Sequence, residues 1–230
     1  MAENFWIERA EQYSNEKFEI NELGTHPHLI NFYKKYNNGW RRILDYGCGD
    51  GSLIEKLKED VEVSLFDISK SMLNLAQSKL SDFRPAVYED ALVLPKSYYD
   101  CIFLSMVLIC VDSESEIEFI IDRMVAAKKK EGVILVANPH PCFRDKPFSS
   151  YYTEYTIGRS FNYFNNGERH EIFLRDGSMN FFDYNWSVSY LLNAFLKKGL
   201  HLVEIEEVPD NQTNAFFNES FSPIIIYAFK

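Results

Sequence analysis

The chain has 230 residues, enough for one α/β domain with a modest addition and for a sizeable buried core. Its formal net charge is −10, so it lacks the basic excess that a phosphate backbone demands of its protein partner, and nucleic acid is not the expected ligand. The aromatic content is high, with 19 Phe and 14 Tyr.

Residues 1–6 contain neither a basic n-region nor an apolar h-region, and the longest apolar run, residues 101–111, is too short to cross a bilayer. The expectation is a soluble, cytoplasmic protein without membrane contact, a monomer or homodimer. Residues 4–36 read as amphipathic helices. Phe5, Trp6, Ala10 and Tyr13 share one side of the first, and Pro27 opens a second that carries Leu29, Ile30, Phe32 and Tyr33.

The stretch Arg42-Ile43-Leu44-Asp45-Tyr46-Gly47-Cys48-Gly49-Asp50-Gly51 follows. Its apolar half reads as a buried strand and its alternating glycines as a tight turn. Residues 52–58, with Leu53, Ile54 and Leu57 on one side, read as the helix behind it. Glycine permits positive φ and close approach of a ligand, and the helix start should turn free N–H groups toward the loop. Residues 61–66 form a second strand ending in Asp67, 18 positions after Gly49 (67 − 49). In nucleotide-binding βαβ units an acid about 20 residues beyond the glycines accepts hydrogen bonds from ribose hydroxyls. The spacing is G-x-G-x-G rather than the dinucleotide fingerprint, and Asp50 inside the loop suits a cationic ligand end better than a pyrophosphate.

Leu44–Gly51, followed by Phe66-Asp67-Ile68-Ser69-Lys70-Ser71-Met72-Leu73, resembles the first two motifs of class I S-adenosylmethionine-dependent methyltransferases. The resemblance covers roughly residues 40–137. It implies a seven-stranded, mostly parallel sheet with helices on both faces and an antiparallel last strand. It also implies that Asp45, Tyr46, Gly47, Cys48, Gly49, Asp67, Ile68 and Met72 border S-adenosylmethionine. By the same resemblance Tyr13 is the candidate aromatic over the methionine end, and the N-terminal helices (residues 1–38) either cap that pocket or simply cover one end of the core.

Ser69 is a plausible N-cap for the next helix. Residues 84–88 read as the third strand, followed by Glu89-Asp90-Ala91. The resemblance makes Asp90 and Ala91 candidates for the adenine, against a plain capped turn. Residues 99–104 are the fourth, nearly all-apolar strand. Ser105 and Met106 follow it, at the carboxyl end where an open α/β sheet binds its ligand. Ser113-x-x-Glu116 is a capping box for a helix with Ile117, Ile120, Ile121, Met124 and Val125 on one face. Lys128-Lys129-Lys130 reads as that helix's last turn, with Gly132 as its C-cap, rather than as an RNA patch. Residues 132–137 are the fifth strand.

Between Pro141 and Trp186 lie twelve aromatic residues, and Asp176-Gly177 marks a hairpin turn. Residues 138–185 read as an aromatic-rich inserted lid, the alternatives being a satellite core or a dimer face. Residues 186–230 supply a closing helix, capped by Ser187, and two last strands. The four cysteines, Cys48, Cys101, Cys110 and Cys142, lack C-x-x-C spacing and read as free thiols; no metal site is expected.

The function these readings imply is methyl transfer from S-adenosylmethionine to a small, aromatic or apolar organic acceptor, with an oxygen slightly favoured over a nitrogen. His140 is the candidate base, with His170 and Tyr152 behind it. The alternatives are an RNA or protein methyltransferase, a nicotinamide-dependent oxidoreductase, and a cofactor-binding protein without turnover.

Overall fold

The computed structural model describes residues 20–57, 60–209 and 221–230. In chain order it contains α1 (His26–Tyr36), β1 (Arg42–Tyr46), α2 (Ser52–Glu55), β2 (Glu62–Phe66), α3 (Lys70–Lys79), β3 (Ala86–Tyr88), β4 (Tyr99–Ser105), α4 (Glu114–Ala127) and β5 (Lys128–Pro139). These are followed by β6 (Tyr151–Thr153), β7 (Glu168–Leu174), β8 (Asn180–Asn185), α5 (Val188–Leu196), β9 (Leu202–Val208) and β10 (Ile224–Phe229). The main sheet has the order β3-β2-β1-β4-β5-β10-β9, and β6-β7-β8 form a second, three-stranded sheet. Strands β1 to β5 pair in parallel, while β10 runs antiparallel to both β5 and β9.

Each central strand is apolar on both sides because helices cover both faces. Ile43, Leu65, Phe103 and Leu135 pack toward Leu29 and Tyr33 of α1 and Leu73 and Ala76 of α3. Their alternating neighbours Leu44, Ile102, Ile134 and Val136 pack toward Ile117, Ile121 and Met124 of α4 and Leu191 and Phe195 of α5. The caps hold as expected: the hydroxyls of Ser69, Ser113 and Ser187 accept the N–H groups of Met72, Glu116 and Tyr190, each at 3.3 Å.

Three expectations change. The helix expected over residues 52–58 is one turn long. Lys56 N–H donates to Leu53 O and Leu57 N–H to Ile54 O, tightened bonds that close the turn instead of extending it. The third strand starts at Ala86 rather than at residue 84, because Arg84 takes φ +49° and Pro85 offers no N–H. The lysine triplet is not a helix end. Helix α4 stops at Ala127, and Lys128, Lys129 and Lys130 begin β5. Lys128 is buried, its Nζ donating to the carbonyls of Lys129, Lys130 and Gly132, and Lys129 pairs with Asp100 at 2.6 Å.

Gly132 is therefore not a C-cap but a point of close approach. A Cβ there would lie 2.8 Å from Tyr99 O and 3.1 Å from Asp100 O. Gly132→Ala is expected to cost about 1–3 kcal/mol through this overpacking. A urea unfolding midpoint equal to wild type would contradict it.

Candidate active site

The loops after β1, β2 and β4 meet at the carboxyl ends of the strands, around a cavity of about 260 Å³. Tyr46, Gly47 and Gly49 border it from the first loop, Asp67, Ile68 and Met72 from the second, and Ser105, Met106 and Val107 from the third. The positive φ of Gly47 (+74°), Gly49 (+51°) and Gly51 (+80°) folds the first loop back on itself. Gly47 and Cys48 N–H both donate to Phe66 O, Gly49 N–H donates to Asp67 Oδ2, and Gly51 N–H to Cys48 O. Ser52 N–H donates to Asp50 Oδ1. The free N–H groups expected of this loop are thus engaged within the chain. Met106 holds φ +58°, a costly conformation for a side-chain-bearing residue, at the cavity wall.

Three carboxyl groups gather here. Asp67 accepts from Gly49 N–H at 2.9 Å and Ser69 N–H at 2.8 Å; burial still raises its pKa. Asp45 lies behind the loop, fully enclosed, and burial together with Asp67 and Asp50 pushes its carboxyl up to about 8. Asp50 is the exception. Burial pushes it up, but Lys79 and Ser52 bind it and the net effect is downward.

Eight of the expected cofactor residues come together at the cavity: Tyr46, Gly47, Gly49, Asp67, Ile68, Met72, Ser105 and Met106. Five do not. Tyr13 lies outside the described residues. Asp45 and Cys48 are buried behind the loop rather than in the wall. Asp90 is exposed and caps its own turn, accepting from Leu92 N–H at 2.8 Å, while Ala91 packs into the core. The two candidate catalytic residues are also away from the wall. His140 caps the turn that follows it, its Nδ1 accepting from Cys142 N–H at 3.2 Å, and its Nε2 meets Glu207 at 2.6 Å. Tyr152 stacks on Phe173, with ring centroids 5.1 Å apart. His170 is buried beneath Tyr155, and burial lowers its pKa to about 2.

The far wall comes from the second sheet and the segment before it: Pro139, Arg144, Tyr151, Ile172, Leu174, Phe181 and Asp183. None of these was singled out for the site from sequence. Ile20 and Asn21, within the segment expected as the N-terminal cap (residues 1–38), also line the cavity.

A methyltransferase-domain family model matches residues 43–132. An S-adenosylmethionine-dependent methyltransferase from Clostridium acetobutylicum shares 16% identity over 95% of this chain and 93% of its own, with a TM-score of 0.65. One from Mesorhizobium loti shares 17% over 88% and 95%, TM-score 0.59. The N-methyltransferase NodS of Bradyrhizobium japonicum, in complex with S-adenosyl-L-homocysteine, shares 14% over 94% and 88%, TM-score 0.61. No curated protein matches the sequence. Residues 43–132 thus match a methyltransferase-domain family, and the fold is the one these S-adenosylmethionine-dependent methyltransferases adopt. Among the described residues, no helix is long and apolar enough to cross a membrane.

The Asp45 carboxyl gives a test of this loop. Its ordinary pKa is 3.8 and its folded value about 8, so the folded state holds the proton more tightly than the unfolded chain. Ligand-free wild type should therefore lose stability relative to Asp45→Asn as pH rises from about 4 to 8. Urea unfolding of both proteins at pH 5 and pH 8 checks it; a constant difference between them would refute it.

Proposed function

We propose that the protein moves a methyl group from S-adenosylmethionine to a small, largely apolar or aromatic acceptor, an oxygen being favoured over a nitrogen. One observation carries this reading. A single cavity has the glycine loop and Asp67 on one side and an aromatic, mostly apolar wall on the other. Residues 138–185 act in this reading as a substrate lid over the cofactor-binding core.

When bound, S-adenosylmethionine supplies a methyl group on a cationic sulfur that is already a good leaving group. The protein's task is then to hold, align and keep dry. Gly49 leaves space at the loop: nothing lies within 4 Å of where its Cβ would be. Asp67 keeps lone pairs beyond its two backbone bonds for ribose hydroxyls. The Asp67 carboxyl in the cavity wall favours a ligand with a cationic end. The Tyr151 and Phe181 rings offer π-faces to a methyl cation-like centre and to a flat acceptor. A macromolecular acceptor fits less well, because the far wall roofs the cavity and the chain is acidic.

Isothermal titration should show uptake of S-adenosylmethionine and S-adenosylhomocysteine and none of NAD. Gly49→Ala should remain folded, at a cost of about 1–2 kcal/mol for a Cβ in the left-handed region, and lose at least tenfold in affinity for both. Absence of uptake by wild type would overturn the proposal.

Asp67→Ala removes the acceptor of Gly49 and Ser69 N–H together, so a loss of at least tenfold in S-adenosylhomocysteine affinity is expected. An unchanged affinity in titration would show that the loop needs no such tie.

A further inference from the structure

The far wall of the cavity is apolar or aromatic except at two side chains, Arg144 and Asp183. Both are almost fully buried, at 1% and 2% exposure. They meet through one contact, Arg144 Nη1–H to Asp183 Oδ2 at 3.2 Å. That is long for a charge-assisted bond and lacks the two-pronged geometry that usually makes such pairs strong. Asp183 Oδ1 and Arg144 Nε have no hydrogen-bond partner among the described residues. An unmatched buried oxygen or N–H normally costs about 1–3 kcal/mol, and a poorly matched buried ion pair seldom stabilises a fold. This pair is thus a poor structural device, set where a ligand from the cavity can complete it.

Resting on the methyltransferase reading, we infer that Asp183, positioned by Arg144, receives the O–H or N–H of the methyl acceptor, so that the acceptor is a small apolar or aromatic molecule bearing a hydroxyl or an amine. Few other charges face this carboxylate. Arg144 comes from the segment after β5. His170, directly opposite on β7, is neutral because burial lowers its pKa to about 2. Asp67 and Glu116 border the same cavity from the main-sheet side. Burial pushes Asp183 up to about 6 and Arg144 holds it down, so at neutral pH it is mostly a carboxylate that can accept such a hydrogen bond.

The experiment uses 4-ethylphenol, phenethylamine and the donor-less 4-ethylanisole as probes, titrated into the full chain by ligand-observed NMR with and without S-adenosylhomocysteine. Wild type should bind the phenol or the amine at least tenfold more tightly than the anisole. Asp183→Asn should shrink that preference by at least tenfold while S-adenosylhomocysteine affinity stays within twofold of wild type. Because Asp183→Asn strands Arg144, the pair Arg144→Met with Asp183→Leu is the second variant. It should unfold at or above the wild-type temperature and show no preference among the probes. Wild type without donor preference, variants that keep it, or a double variant that is markedly less stable would each overturn the inference. Failure of wild type to take up S-adenosylhomocysteine is a different result, which removes the methyltransferase reading itself.

Discussion

The carboxylate of Asp67 is the tie on which the site depends. It joins two pieces of chain that are far apart in sequence, accepting Gly49 N–H on one oxygen and Ser69 N–H on the other. The first bond fixes the loop after β1; the second sets the entry to α3. The positive φ values at Gly47, Gly49 and Gly51 are what let the loop's N–H groups turn back toward Phe66 O and Asp67. A Cβ at Gly47 would sit 2.4 Å from Val107 Cγ2, so the same glycine also lets the loop after β4 pack closely. Parallel pairing of β1 with both β2 and β4 brings the three loops to one end. The cavity is a consequence of that register.

The main sheet was legible because each of its signals is local. Apolar runs bounded by glycine or acid gave β1, β2 and β4, and three serine caps gave the starts of α3, α4 and α5. The errors fell where tertiary pairing overrode a local signal. Lys128–Lys130 look like a helix end only until β4 is present to pair with them; Tyr99 then takes Lys128 as its partner, and Asp100 pairs with Lys129. Asp90 carries the residue type and spacing expected of an adenine contact, but it is exposed, lies outside the cavity lining and uses one carboxylate oxygen to cap its own turn. His140 sits at the right place after β5, but its ring is turned to Glu207 and Cys142 N–H.

The far wall was hidden for a different reason. Strand β6 has three residues, and in so short a segment sequence cannot say which of two adjacent tyrosines faces inward. Tyr151 does, and Tyr152 stacks on the outside with Phe173. In β7 and β8 the inward positions include His170 and Asp183, polar residues that interrupt the apolar alternation by which an inward face is recognised. Arg144 lies in a segment whose prolines and small 3₁₀ turn carry no periodic pattern at all. A buried charge pair is visible only once both partners are in place.

The chemistry around the loop also separates two ligands that share this kind of fold. A dinucleotide brings a pyrophosphate, which is held by free N–H groups at a glycine turn and by the start of a helix. Here the N–H groups of Gly47, Cys48, Gly49, Gly51 and Ser52 are engaged within the chain, and the helix behind them is four residues long. What the site offers instead is carboxyl groups that a cationic ligand can ionise. Lys79 neutralises Asp50, but Asp67 keeps a raised pKa and Asp45 is driven up to about 8 by its burial beside other carboxylates. A pyrophosphate arriving there would find few free donors and would push these acids further toward their protonated form. A ligand with a cationic sulfur and an ammonium group meets the reverse, and its arrival would favour the ionised form of both acids. The ligand preference of the site thus follows from which backbone donors the fold has already spent and which carboxylates it has left without a countercharge.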